Sequence, residues 1–430
     1  MSIRKFAVPG AVLAAALLAA PAPVYASGDE VYLAAGLRGA NEVGAEGDAD
    51  GQSTVVLKIS GNQVTYAARW HQIGTPTAGH VHAGARGANG DVRLEFFGNP
   101  LPGGVLGVTG TVQADPELVR ALLDDPGGFY ANLRDAAHAQ GAVRGQFHRL
   151  TKPADLNGVL HGGDQATLSA RTGGDQETQQ AQETEEAQQG GGGDQDGQAT
   201  WWLGPTGSSV AYTAHWSGLG PVTGGRVHKG AAGPVVAELF TGALPQNVTG
   251  VAGVTPVASK VVKRIAGSPG RYYASLRTSE FDGGAVRGRL SGEPFTHPRA
   301  LTAEVLRGEQ IYTCAQQPSG GYAFAQLGVA ARLRRGIDHS FVTPGSGPPQ
   351  WLAPDGSAVR GAVVTRTPNG AGNIPELLLD ATQAGAGAGL LAHATQILRL
   401  NTTGGVAPTG ACEPGAQARV SYGADYVFLG

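Results

Sequence analysis

Apolar and polar residues alternate along this chain in short runs, and they seldom recur at every third or fourth position. "STVVLKIS" (53–60) and "QVTYAARW" (63–70) carry β-branched and aromatic residues at a period near two, with "ISGN" between them. That pattern predicts two antiparallel strands joined by a tight turn. "GAVRGQF" (141–147) predicts a further strand. One segment has helical spacing: in "DPELVRALLDD" (115–125), Asp115 is placed as N-cap, Pro116 as the first helical residue, and Leu118, Val119 and Leu122 on one face. After residue 300, "EQIYTC", "YAFAQLGVAARL", "ATQILRL" and "YGADYVFL" read as strands, with "PGSGPPQWLAPDGS" and "NTTGGVAPTGAC" as turns and loops. The expected class is all-β: three consecutive sandwich- or barrel-like domains over 29–150, 154–292 and 300–430, the first two with one short helix each.

The first two domains are one unit written twice. Residues 48–70 recur as 194–216 at an offset of 146, and Asp48, Asp50, Gly51, Gln52, Thr54, Leu57, Tyr66 and Trp70 all return. "GHVHAGA" (79–85) becomes "GRVHKGA" (225–231), so His82 returns as His228 while His80 becomes Arg226. Beyond a glycine loop the offset falls to 143, where "FYANLRDAAHAQGAVRGQF" (129–147) aligns with "YYASLRTSEFDGGAVRGRL" (272–290). The helix has a counterpart in "TPVASKVVKRIAG", with Val261, Val262 and Ile265 at the matching places. Upstream, pairing "LRGANE" (37–42) with "LHGGDQ" (160–165) gives an offset of 123 and an insertion of 23 residues in copy two. That insertion falls within the acidic Gln- and Gly-rich stretch at about 172–197, which lacks aliphatic residues larger than Ala. Such a segment cannot bury enough apolar area to offset its ordering entropy, so a disordered loop between the first two strands of copy two is expected.

Composition then sets the compartment. Residues 1–26 read as a secretory signal: Arg4 and Lys5, the apolar "FAVPGAVLAAALLAA", then Val24 and Ala26 at the −3 and −1 cleavage positions. Ser27 is the expected mature start, with secretion as the localisation, and no later apolar run is long enough to span a bilayer. A formal charge of −3 argues against nucleic acid as partner. The only two cysteines, Cys314 and Cys412, both lie in the last domain, and an exported chain makes one disulfide the expected reading.

The ordered set "LRGANEV", "HVHAGARGANG", a helix-like stretch, "FYANL" and "GAVRGQF" resembles the chordin (CHRD) domain, over nearly all of 31–150 and again over 154–292. The resemblance implies an all-β extracellular domain found in bacteria and animals. In animal chordin such domains sit in a secreted growth-factor antagonist. This chain departs from the family where a His commonly follows the Asn of the Y-x-N strand by two residues, since Arg134 and Arg277 stand there. The last domain, through "GEQIYTCA", "PQWLAPDGSAVRG", "LLLDA", "ILRLNTTGGVAPTGAC" and "YGADYVF", resembles an uncharacterised secreted family of bacteria and fungi. Some fungal members carry a malate dehydrogenase label. "GAGAGLLAH" lacks the G-x-G-x-x-G spacing that a nicotinamide fold needs, so it reads as a loop.

Three sets of residues carry candidate chemistry. His80 and His82, two apart on a predicted strand, point to one face and supply two imidazoles for copper or zinc, with His71 and His148 as possible further nitrogens. The spacing also resembles the G-x-H-x-H of copper/zinc superoxide dismutases. Against it stands Arg134, a permanent cation expected nearby. The charges kept in both copies, Glu95 with Glu238, Arg134 with Arg277 and Arg144 with Arg287, read as internal ion pairs or backbone clamps. In the last domain, Ser357, Asp355 and His339 are the residue types of a hydrolase triad, but no G-x-S-x-G elbow accompanies them and "PDGS" has turn chemistry. The expected function is a secreted, non-enzymatic extracellular binding or surface-structural protein, whose partner is an extracellular protein, glycan or surface component. The alternatives are a copper or zinc protein built on His80 and His82, and a hydrolase in the last domain.

Overall fold

The structure, a computed structural model, describes residues 30–162, 166–173, 193–292, 300–318 and 320–430. The expected signal segment and residues 174–192 of the expected disordered insertion lie outside them. Copy one contains β1 (Val31–Arg38), β2 (Gln52–Ser60), β3 (Gln63–His71), β4 (Pro76–Ala83), β5 (Val92–Phe97), β6 (Val105–Gln113), helix α1 (Pro116–Asp124), β7 (Phe129–Asp135), β8 (Val143–Gln146) and the short β9 (His148–Arg149). Hydrogen bonding orders the strands β5-β4-β7-β8-β1-β2-β3-β6, all antiparallel. The predicted β2–β3 hairpin pairs Gln52 with His71 through to Ser60 with Gln63, and Gly61 takes the positive φ of +56° that its turn requires. One face of the curled sheet buries Leu33, Leu37, Val55, Leu57, Tyr66, Trp70, Val81 and Leu133. Helix α1 adds Leu118, Val119, Leu122 and Leu123. Asp115 holds the extended N-cap backbone, but its side chain makes no capping bond.

Copy two repeats the arrangement with β10 (Leu168–Gly173), β11 (Gln198–Thr206), β12 (Ser209–Ser217), β13 (Val222–Lys229), β14 (Val235–Thr241), β15 (Val248–Pro256), β16 (Tyr272–Thr278) and β17 (Val286–Arg289). Between the copies lies α2 (Leu156–His161), and α3 (Ser259–Gly267) is the counterpart of α1. The register of β10 corrects one alignment. Leu168 faces Leu203 as Leu33 faces Leu57, so the partner of "LAAGLR" is "LSARTG". "LHGGDQ" instead begins in α2, whose Leu156, Val159 and Leu160 are buried. Between the first and second strands copy two has 24 residues against 13 in copy one, so the true insertion is 11 residues. The match of "LHG" to "LRG" misled because both combine a buried Leu with a Gly.

The copies are joined edge to edge. β6 pairs antiparallel with β15, the strand equivalent to it, with Gly110 opposite Val248, Val108 opposite Val251 and Val105 opposite Gly253. At an offset of 143 this pairing maps onto itself, so a local two-fold axis passes beside Val108 and Val251. Glycine is required on both sides of the seam. A Cβ at Gly110 would lie 2.4 Å from the Asn247 carbonyl oxygen and 2.7 Å from Tyr66 Oη. At Gly253 the equivalent clashes are 2.3 Å from the Gly104 oxygen and 2.4 Å from Tyr212 Oη.

The third domain is a closed eight-stranded antiparallel barrel: β18 (Ala300–Gln316), β19 (Tyr322–Leu333), β20 (Asp338–Phe341), β21 (Pro349–Leu352), β22 (Ala358–Thr367), β23 (Glu376–Gln383), β24 (Gln396–Gly404) and β25 (Gln417–Leu429), which closes on β18. "PQWL", expected in a loop, forms β21 because Trp351 packs into the barrel at 1 % exposure. Cys314 on β18 is disulfide-bonded to Cys412 in the β24–β25 connection, with Cα atoms 5.8 Å apart.

Copy one packs its outer face on this barrel. Tyr32, Ala34, Val56 and Ala67, with Leu156 and Val159 of α2, meet Leu378, Leu398, Leu400, Val427 and Leu429. Around this apolar seam, Arg38 Nε donates to Asp425 Oδ2 at 2.7 Å, and Asn401 Nδ2 donates to the same oxygen at 2.8 Å. Glu376, 1 % exposed, accepts from Arg86 Nη2 at 2.6 Å and from the Asn401 amide at 2.8 Å, with His148 Nε2 at 3.2 Å. Burial would raise the Glu376 pKa, but the His148 hydrogen bond and the charges of His148 and Arg86 prevail and hold it below the usual range.

Candidate functional site

His80 and His82 lie on β4 with Val81 between them in the core, so both imidazoles stand on the outer side of the sheet. They are nevertheless buried, each 6 % exposed. The glycine loop 84–91 and the segment after β1 cover them. The register sets His80 opposite Asn132 and His82 opposite Tyr130. The His82 ring stacks on Tyr130 with centroids 4.9 Å apart, and the Arg144 guanidinium lies over the other part of that stack, 3.5 Å from the Tyr130 centroid. His82 Nδ1 is 3.0 Å from the Gly90 carbonyl oxygen, to which it donates. His80 Nε2 is 3.6 Å from the exposed Glu95 carboxylate. Asn132 Nδ2 donates to Glu42 Oε1 at 2.7 Å, and burial pushes the Glu42 carboxyl up to about 7.

Four buried polar atoms here lack a hydrogen-bond partner: His80 Nδ1, His82 Nε2, Asn132 Oδ1 and Arg134 Nε. Burial lowers the pKa of both histidines. The Arg134 charge adds to this at each, so both rings are neutral at pH 7. Neutral rings with a free nitrogen are what a metal requires, but the rest of the donor set does not fit. Zinc or copper needs a third and fourth ligand. Among the described residues the one cluster of at least three His, Cys, Asp or Glu ligand atoms is Asp48, Asp135 and His138, at another loop. There Asp135 is already held by the Gly74 and His138 amides. Arg134 stands where a third imidazole would help, and His148 is turned to Glu376. His71 ends β3, away from this strand.

Arg144 is a backbone clamp. Its Nη2 donates to the Ala88 oxygen at 2.7 Å and the Ala85 oxygen at 3.1 Å, and Nη1 donates to Asn89 Oδ1 at 2.9 Å. In copy two Arg287 donates to the Ala231 oxygen, the position equivalent to Ala85. Arg226, in the place of His80, pairs with Glu238 at 2.9 Å, so the His80–Glu95 contact becomes a direct ion pair. Arg277 pairs with Asp282 at 2.7 Å, whereas Arg134 makes no ion pair among the described residues. His228 keeps the loop contact, with Nδ1 3.2 Å from the Gly233 oxygen, and its Nε2 meets Ser275 Oγ at 2.9 Å. Ser275 replaces Asn132, which explains why this ring has no idle nitrogen.

The triad residues do not assemble. Ser357, fully buried, donates from Oγ to Asp355 Oδ1 at 2.6 Å and accepts from the Leu391 amide at 3.0 Å. Asp355 also accepts from the Ser357 and Leu390 amides, so both residues fix the turn that "PDGS" announces. His339 instead lies flat on Trp351, centroids 4.3 Å apart, with Nδ1 donating to the Gln350 oxygen at 2.9 Å. Burial takes its pKa down to about 3, too low for a general base near neutrality.

His339 belongs to a different feature. The barrel interior holds a cavity of about 370 Å³ that opens at one end, its wall formed by Gln310, Tyr312, Trp351, Leu379, Arg399 and Tyr426 among others. The crevice between copy one and the barrel holds only about 40 Å³. Sequence reading did not find the barrel cavity or the roles of Glu42, Tyr130, Asn132 and Glu376. Tyr130 was the most accessible of these, since it returns as Tyr273 in the second copy.

Comparison with known families agrees with the repeat. The CHRD domain matches residues 33–147 and 168–290, and a protein family of unknown function (DUF3455) matches 330–430. Neither the curated proteins nor the solved structures yielded a match. The second CHRD span begins at β10, past α2, in agreement with the strand register. With more than half of its length in two CHRD domains, the chain belongs to the CHRD family.

Proposed function

We propose that this chain is a secreted, non-catalytic binding protein in which two CHRD domains and a barrel act as one body toward an extracellular protein, glycan or surface component. The observation that carries the reading is that the groups best suited to catalysis are engaged in holding the backbone: Ser357 and Asp355 in a turn, Arg144 and Arg287 on loop carbonyls. CHRD domains suggest an extracellular binding role. The Cys314–Cys412 disulfide fits an oxidising compartment, and among the described residues no helix is long and apolar enough to cross a membrane.

The test has two arms. Purified protein is assayed against ester, peptide, glycoside and phosphoester substrates, and for superoxide dismutation with added copper or zinc. It is also titrated against immobilised extracellular polysaccharides and proteins. Expected are no turnover and saturable binding to a member of the second set. Turnover abolished by Ser357→Ala or by His80→Ala overturns the reading.

A further inference from the structure

Every strand of the third domain's barrel contributes to the wall of its cavity. The deep part is Trp351, His339, Tyr426, Leu379, Gln310 and Arg399, and the mouth is bordered by Gln326, Val363 and Arg366. At about 370 Å³ the space is at the lower end of the range for small-molecule sites, ~300–1,000 Å³. Its charged lining is of one sign, Arg399 and Arg366. Trp351 Nε1 and Gln310 Nε2, on side chains only 1 % exposed, are buried donors with no acceptor. The Gln310 oxygen is already satisfied by Gln326 Nε2 at 2.8 Å, which fixes the amide with its NH₂ unmet. Arg399, 8 % exposed, spends Nε and Nη2 on the Pro375 carbonyl at 3.2 and 2.8 Å. Among the described residues neither Arg399 nor Arg366 has a carboxylate partner, and no Asp or Glu lines the cavity.

A buried guanidinium without a counter-ion and two buried donors without acceptors are costly unless something supplies negative charge and lone pairs. The stacked Trp351, His339 and Tyr426 rings and the wall of Val329, Leu377 and Leu379 suit an apolar body. We infer that the barrel binds a small organic carboxylate with an apolar body, its head group at Arg399 and Gln310 and its body against Trp351 and Leu379. Medium-chain fatty acids and aryl alkanoates share this chemistry. The inference deepens the reading of the chain as a binding protein and rests on it.

Calorimetric titration of the full chain with sodium decanoate, sodium 4-phenylbutyrate and decan-1-ol tests this. One site per chain is expected, with one of the carboxylates binding at least tenfold tighter than the alcohol; which one binds better identifies the body. Arg399→Met should weaken carboxylate binding at least tenfold and leave the alcohol nearly unchanged. Because Arg399 also braces Pro375, Gln310→Leu and Val363→Trp serve as further variants: the first should weaken carboxylate binding several-fold, the second should block all three probes. Near-ultraviolet circular dichroism verifies that each variant is folded. Equal affinity for decanoate and decanol, no binding of either acid, or carboxylate binding indifferent to Gln310→Leu and Val363→Trp overturns the inference. Mass spectrometry of the recovered probe separates the two readings. An acid bound but chemically altered removes the non-catalytic reading and keeps the site, while absence of binding removes the site alone.

Discussion

The two CHRD copies share a strand order and a clamp yet do different work, and the contrast separates what the fold demands from what one copy has acquired. Retained in both are the histidine that anchors the glycine loop (His82, His228), the tyrosine beneath it (Tyr130, Tyr273) and the arginine on the loop carbonyls (Arg144, Arg287). These hold the glycine loop against the sheet through its carbonyls. Among the residues that differ are those that bind copy one to the barrel. Arg38 corresponds to Gly173, His148 to Ser291, and the shorter glycine loop of copy two has no arginine to match Arg86. Docking is thus a property of copy one laid over a shared frame.

The contrast is broken most severely at Glu376. Glu376→Ala removes the buried carboxylate shared by Arg86, His148 and the Asn401 amide and should cost about 3–4 kcal/mol. Calorimetry should show the barrel melting apart from the CHRD pair. The exposed Arg226–Glu238 pair of copy two is the control, and Glu238→Ala should cost at most ~1 kcal/mol. Next comes the clamp. Arg144→Ala should destabilise by about 2–4 kcal/mol in urea unfolding, since two loop carbonyls and Asn89 lose a charged donor, and Arg287→Ala should cost less because its loop is shorter.

Acid distinguishes the copies at one equivalent position, where Arg69 of copy one becomes His215 of copy two. Burial, aided by the charge of His161, lowers the His215 pKa from 6.5 to about 4. The unfolded chain therefore takes up this proton first. The stability His215 contributes is full above pH 6.5 and is lost as pH falls from 6.5 toward 4, on the order of 2–3 kcal/mol. His215→Gln should flatten the pH dependence of melting in that window. If the slope survives unchanged, the neutral buried state of His215 is wrong. Smallest are the histidines of β4. His82→Ala should cost about 1–3 kcal/mol through the lost Gly90 bond and the Tyr130 stack, and His228→Ala a similar amount. His80→Ala, whose partner is an exposed carboxylate at 3.6 Å, should cost under ~1 kcal/mol. A metal-dependent rise in melting temperature, lost in both His80→Ala and His82→Ala, would restore the metal reading.

What the sequence discloses by itself comes from local order and from repetition. The hairpin at Gly61 and the helix at Pro116 are written within a few residues, the arginine on the loop carbonyls returns in a second copy, and the disulfide followed from there being two cysteines in one domain. Long-range roles are not written that way. Glu376 meets Arg86 across 290 residues, and nothing near either one marks the other. β24 hid the cavity for a different reason. Ile397 faces the barrel core while Leu398 and Leu400 face copy one, so both sides of the strand are apolar and no alternation marks Arg399 as an inward-facing residue. The first strand of copy two was misplaced because α2 offered a closer match in composition than β10 did.

The seam between β6 and β15 also has a genetic consequence. A strand edge that pairs with its own equivalent across a two-fold is self-complementary, so a single unfused copy already carries a half-interface for a second molecule of itself. Fusion of two such genes preserves the interface while releasing its halves from identity. After that event a change at Gly110 or Val108 is met once, where before it would have been met twice. In a fused chain one half can carry Arg38, Arg86 and His148 without imposing them on the other.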